Sequence, residues 1–138
     1  MSQRIGVTAP RALRLALVNQ AVRESPRECC GLLLGSGNRI QFAVPAPNRA
    51  AGRTRFRLDP RLHLDVQRTV RRFTPPLDIV GAYHSHPAGP ARPSERDVAE
   101  AHYPNWVHLI VGLGAPRPRV SAFRIARGRA SAIRLRWV

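Results

Sequence analysis

The sequence predicts one α/β domain over residues 1–138, built on a mixed β-sheet flanked by helices. Three observations point there. Segments with apolar residues at helical spacing alternate with short, β-prone apolar segments. The chain has 138 residues and 15.3 kDa, the size of one hydrophobic core, and its 43% hydrophobic content is too high for wholesale disorder. No repeat or low-complexity linker divides it.

Pro10 suits the first turn of a helix, with Thr8 or Ala9 just outside. Leu13, Ala16, Leu17 and Ala21 then recur at helical spacing to about Glu24, and Ser25-Pro26 ends the helix. Cys29 to Leu34 is a continuous apolar run closed by Gly35-Ser36-Gly37-Asn38, which reads as a strand buried on both faces and then a turn. Ile40 to Val44 is the returning strand. Pro45, Pro47 and Asn48 break the chain, and Arg55 to Leu58 reads as a short edge strand. After Pro60, Leu62, Val66, Val70 and Phe73 mark an amphipathic helix with Arg61, Arg68, Arg71 and Arg72 spread around it, stopped by Pro75-Pro76. Leu77 to Tyr83 reads as a strand, Ala88 to Pro93 as a Pro/Gly loop, and Ser94 opens a short helix to about His102. Val107 to Leu113, Val120 to Ile125 and Ala132 to Val138 complete the strands. Local pattern does not specify how they pair.

The formal charge is +15, with 23 basic residues, all arginine, against 8 acidic ones. Such a chain attracts acidic partners and binds polyanions weakly whatever its function. The arginines are scattered, and only 6% of residues are aromatic, so no basic element with base-stacking rings stands out and no specific nucleic-acid partner is expected. The simpler reading is a solvated arginine surface. No apolar run approaches the ~18 residues that span a bilayer, and the opening MSQRIGVTAP lacks the apolar core of a signal peptide. Cys29 and Cys30 are adjacent, which disfavours both a mutual disulfide and a thiolate metal site, and they read as small hydrophobes. A reduced, cytoplasmic setting is expected.

The chemistry concentrates in Tyr83 to Asp97. His84 and His86 stand two apart at the end of an apolar strand, and the strand period puts both imidazoles on one face. Asp97, in the first turn of the next helix, is able to return toward that strand end. Two imidazoles and one carboxylate suit zinc with a fourth position left for water, the catalytic arrangement, whose direct use is amide hydrolysis. Plainer roles stand beside these. Strand-end histidines are often hydrogen-bonded surface groups, and Ser94 with Asp97 has the pattern of a helix cap. A hydrolase also needs a proton acceptor. Glu28, at the edge of the buried strand, is the carboxylate best placed for partial desolvation, modestly ahead of Glu95, Glu100 and Asp78, and its plain role is an ion pair with Arg27 or another arginine. His63, on the arginine-rich helix, reads as surface. His102 ends the short helix, His108 reads as packed or hydrogen-bonded in a strand, and Trp106 and Trp137 as core or sheet-edge residues.

Taken together, Glu28 before Cys-Cys-Gly-Leu-Leu and the run His84-Ser-His86-Pro, six residues, Ser94, two residues, Asp97 resemble the JAMM (MPN-plus) metalloproteases, with every position of the composite motif filled. The resemblance extends softly over most of the chain. It implies a fold like that of the cytidine deaminases and one Zn2+ per chain held by His84, His86 and Asp97. It implies Glu28 as general base and Ser94 as hydrogen-bond donor to the oxyanion. It also implies cleavage of amide or isopeptide bonds after the Gly-Gly tail of ubiquitin-like proteins. The chain looks most like the small stand-alone bacterial branch, which trims ubiquitin-like sulfur-carrier proteins. Carriers of that kind are often acidic, so the arginine surface is expected to speed encounter. The alternatives are a metal-free interaction scaffold of the same fold, against which the complete ligand set argues, and a basic nucleic-acid-binding domain. Oligomeric state and leaving group are not legible.

Overall fold

The computed structural model describes residues 6–50 and 57–138. The chain runs β1 (Val7–Ala9), α1 (Arg11–Glu24), β2 (Cys30–Ser36), β3 (Arg39–Ala46), α2 (Pro60–Val70), β4 (Asp78–His86), α3 (Glu95–Glu100), β5 (Val107–Gly112), β6 (Arg119–Ala126), β7 (Arg129–Ile133) and β8 (Leu135–Trp137). The eight strands form one sheet in the order β7-β6-β5-β4-β2-β3-β1-β8. β4 lies antiparallel to β2 and parallel to β5, so the sheet is mixed.

The continuous apolar run of β2 is explained by its central place, which buries both faces. Leu33 joins α1 residues Leu13, Leu17 and Ala21 in one core, with Val7, Tyr83, Leu109 and Val111. Leu32 and Leu34 join Val66 and Val70 of α2 in a second core, with Leu77 and Ala82. The helices therefore pack on opposite faces. The alternation of β4 carries Tyr83 to the α1 side and Ala82 to the α2 side. His84 and His86 continue the Ala82 row.

Three parts of the chain depart from the sequence reading. Val7–Ala9 is a strand, parallel to both β3 and β8, though three residues are too few to show a period. The strand expected over Ala132 to Val138 is two strands separated by Arg134. β7 pairs with β6, and β8 pairs with β1, so a nearly continuous segment supplies both borders of the sheet. The sheet must curl around α1 for this to happen. Arg134 O accepts from Val7 N, and Val138 N donates to Ala9 O, which seal the seam. Of the edge strand expected over Arg55 to Leu58, Arg55 and Phe56 lie outside the described residues, and Arg57 and Leu58 are not strand. No helix among the described residues is long and apolar enough to cross a membrane.

Candidate metal centre

The site sits at the carboxyl end of β4, where the chain leaves to cross over to β5. Gly112 lets it form. A Cβ there would run into the backbone of Pro90 and Ala91, so the bare glycine allows the loop after His86 to lie on the end of β5. Leu113 N donates to His86 O and Gly114 N to Gly89 O, which pins the loop. The loop then presents the Pro90 carbonyl 3.0 Å from His86 Nδ1. A carbonyl only accepts, so Nδ1 carries the proton and the ring turns Nε2 toward the site.

Ser94 starts α3 with a reciprocal cap. Its Oγ accepts from Asp97 N at 3.1 Å, and its own N–H donates to Asp97 Oδ2 at 2.9 Å. The same Oδ2 lies 3.1 Å from His84 Nε2 and 3.1 Å from His86 Nε2, and the two ring nitrogens are also 3.1 Å apart. Three donors thus form an equilateral triangle. Tetrahedral coordination with bonds of about 2.0–2.1 Å separates neighbouring donors by roughly 3.3 Å, so the triangle fits one face of a zinc-sized tetrahedron and leaves the fourth corner open.

The electrostatics suit a cation. Burial pushes the Asp97 carboxyl up, but hydrogen bonds with His84 and His86 and the Ser94 N–H outweigh it and hold the carboxyl well below the usual range. Burial drives the His84 imidazole down, toward the neutral ring that binds metals. At His86 the cost of burial is overcome by its bonds to Asp97 and Pro90, and the net direction is up.

Glu28 stands just before β2 and is only 7% exposed. Its carboxyl is pushed up to about 7, first by burial, with Asp97 adding to the rise and His86 and Arg96 opposing it. Its carboxyl is thus within electrostatic reach of His86 and Asp97. Of the rival carboxylates, Glu95 is exposed on α3, Asp78 opens β4 at the end away from His86, and Glu100, also exposed, borders a cavity with His84 and Asp97. The backbone around Glu28 is tied on two sides. Asn48 Nδ2 donates to Glu28 O at 2.9 Å. Cys29 N donates to Ser85 Oγ at 2.8 Å, and Ser85 N to Cys29 O at 3.0 Å.

The structure brings together His84, His86, Asp97 and Ser94, with Glu28 within their electrostatic reach. Sequence reading missed Ser85, Asn48 and Pro90 as supports. Ser85 lies inside the motif and Asn48 in the Pro-rich break after β3, but their partners are 56 and 20 residues away. His63 is a correction. It is half-buried, its ring packs on Tyr103 and Trp106, and Nε2 has no hydrogen-bond partner among the described residues. His102 lies beyond α3, which ends at Glu100. His108 is packed as expected, and burial pushes its imidazole down to about 4.

A protein of Thermus thermophilus named "Probable TtuB-protein conjugate cleaving protease" is 35% identical over 125 residues, covering 90% of this chain and 79% of the relative. The CysO-cysteine peptidase of Mycobacterium tuberculosis is 33% identical over 116 residues, covering 82% and 78%. A solution structure of a protein from Desulfitobacterium hafniense superposes with a TM-score of 0.85 at 28% identity, covering 96% of this chain and 92% of that one. Residues 10–126 match the family described as prokaryotic homologs of the JAB domain, and the chain belongs to that family.

Proposed function

We propose that the protein is a zinc peptidase that hydrolyses the amide or isopeptide bond after the C-terminal Gly-Gly of a ubiquitin-like sulfur-carrier protein, working in the cytoplasm. The observation that carries this reading is the 3.1 Å triangle of His84 Nε2, His86 Nε2 and Asp97 Oδ2, with the raised Glu28 carboxyl within electrostatic reach of His86 and Asp97. His84, His86 and Asp97 hold the ion. A zinc ion in this site supplies a Lewis acid that polarises the scissile carbonyl and makes water acidic enough to attack near neutral pH.

The protein's own groups do the rest. Glu28, with a proton affinity near neutrality, takes the proton from the attacking water and returns it to the departing nitrogen. Ser94 Oγ accepts from Asp97 N, which leaves its hydroxyl proton free to donate to the oxyanion. The Pro90 carbonyl fixes the tautomer of His86. The relatives named above act on TtuB conjugates and on CysO-cysteine, and this supports a ubiquitin-like substrate here.

The test is to incubate the protein with ubiquitin-like carriers extended beyond Gly-Gly, with and without chelator, and to read product masses. Zinc content near one per chain and chelator-sensitive release of the extension are expected, and both should vanish in the His84→Ala/His86→Ala double variant. Cleavage that survives in that variant refutes the reading.

A further inference from the structure

The charge of this chain is unevenly laid out. Residues 101–138 contain no Asp or Glu and carry seven of the 23 arginines, so all eight carboxylates lie before them. That segment includes β7, a border strand whose one sheet neighbour is β6. Arg127 and Gly128, at φ 53° and 72°, join the two strands in the two-residue turn that suits their twist. Ala126 and Arg129 are therefore the first hydrogen-bonded pair, and the register runs without a bulge to Ile133. Bonded and non-bonded pairs alternate in an antiparallel ladder. Arg129, Ser131 and Ile133 thus bond to β6, and Ala130 and Ala132 turn their N–H and C=O groups outward. Ala130, Ser131 and Ala132 are exposed, and none has a side chain long enough to cover that edge.

Charge decides what docks there. Arg127, Arg129 and Arg134 are exposed at the two ends of β7, and among the described residues none is paired with a carboxylate. A second copy pairing antiparallel about Ser131 would bring its Arg134 close to Arg129, and like charges across a ladder repel. An acidic strand meets three cations instead. We infer that the open edge of β7 is a docking site for an extended, acidic segment of another protein, which joins the sheet as a further strand. The two faces of β7 set the pattern of that segment. Arg129 and Ser131 share a face with Arg124, while Ala130 and Ala132 lie on the other beside Ile125 and Phe123. The guest strand alternates accordingly, with Asp or Glu on the Arg129 face and apolar side chains on the Ala130 face.

The experiment titrates isotope-labelled full-length protein with three synthetic peptides and follows its amide resonances. The first is Val-Glu-Val-Glu-Val-Glu-Val, the second has Lys for each Glu, and the third has Pro for the central Glu. The acidic peptide should protect the Ala130 and Ala132 amides from solvent exchange, and the other two should bind at least about tenfold more weakly. Ala132→Pro removes an outward N–H that β6 does not use, and should also weaken the acidic peptide by at least about tenfold. The Arg129→Glu/Arg134→Glu double variant should prefer the Lys peptide. Circular dichroism verifies that the variants fold, and the comparison of acidic and Pro peptides on wild type decides the matter if either does not. Failure of the acidic peptide to bind, equal binding of the acidic and Pro peptides, or binding that leaves the Ala130 and Ala132 amides open to exchange overturns the proposal. Tighter binding of a single-stranded oligonucleotide than of the acidic peptide assigns the arginines to nucleic acid and overturns it as well.

Discussion

Ser94 and Asp97 hold each other across the first turn of α3, through Ser94 N–H to Asp97 Oδ2 at 2.9 Å and Asp97 N–H to Ser94 Oγ at 3.1 Å. The oxygen held this way is the one that faces both imidazoles. Helix capping and metal ligation, rival readings of the same residues in the sequence, are compatible, because the capped oxygen is the one that ligation would use. The cap aims that oxygen at the two imidazoles.

Ser94→Ala should therefore act twice. Loss of the cap lowers stability by about 1 kcal/mol. Looser positioning of Asp97 weakens zinc binding by about 10- to 100-fold, the usual effect of removing an outer support. Thermal melts of metal-free protein and calorimetric zinc titration measure the two separately, and unchanged zinc affinity would detach the cap from the site.

Glu28→Gln should keep zinc and lose about 100- to 10,000-fold in kcat. It also has a stability signature in metal-free protein. Glu28 binds its proton more tightly when folded, near 7 against an ordinary 4.5. That contribution to stability is complete below pH 4.5 and is lost as pH rises through about 7. The variant should thus melt above wild type at pH 8, and this advantage should shrink steadily as pH falls toward 4. His108 runs the other way, contributing above 6.5 and losing that as pH falls through about 4, but it is common to both proteins and cancels in the difference. A difference in melting temperature that does not vary with pH would argue against a buried carboxyl.

Gly112→Ala should lift the Pro90–Ala91 backbone from the end of β5 and carry the Pro90 carbonyl away from His86 Nδ1. We expect weaker zinc binding with the sheet intact. Far-ultraviolet circular dichroism, melting and zinc titration together check this; normal zinc affinity in a folded variant would mean the loop does not orient His86.

The +15 charge should make carrier cleavage salt-sensitive. Raising ionic strength from low to physiological should reduce kcat/KM for an acidic carrier more than kcat. Equal kcat/KM at both salts would remove electrostatic steering.

Local chemistry made much of this protein legible. The apolar run of β2 announces a strand buried on both faces, and the spacing of two in a strand puts His84 and His86 side by side. What stayed hidden depends on partners far along the chain. Val7–Ala9 is too short to show a period and is a strand because β3 and β8 receive it. The break at Arg134 has no local sign, since no Gly, Pro or other turn residue interrupts Ala132 to Val138. Ser85 and Asn48 look like ordinary polar residues until the fold lays them against Cys29 and Glu28. His63 seems exposed from its arginine-rich helix, and only the arrival of Tyr103 and Trp106 covers it.

The segment Arg129–Trp137 zips to β6 with its first half and to β1 with its second. During synthesis, β1 must wait for Leu135–Trp137, more than 120 residues later, to be made before it gains that neighbour. Removing residues 129–138 should accordingly not trim a tail but open the curled sheet at both borders, exposing the apolar face of α1 and favouring aggregation over a smaller folded unit.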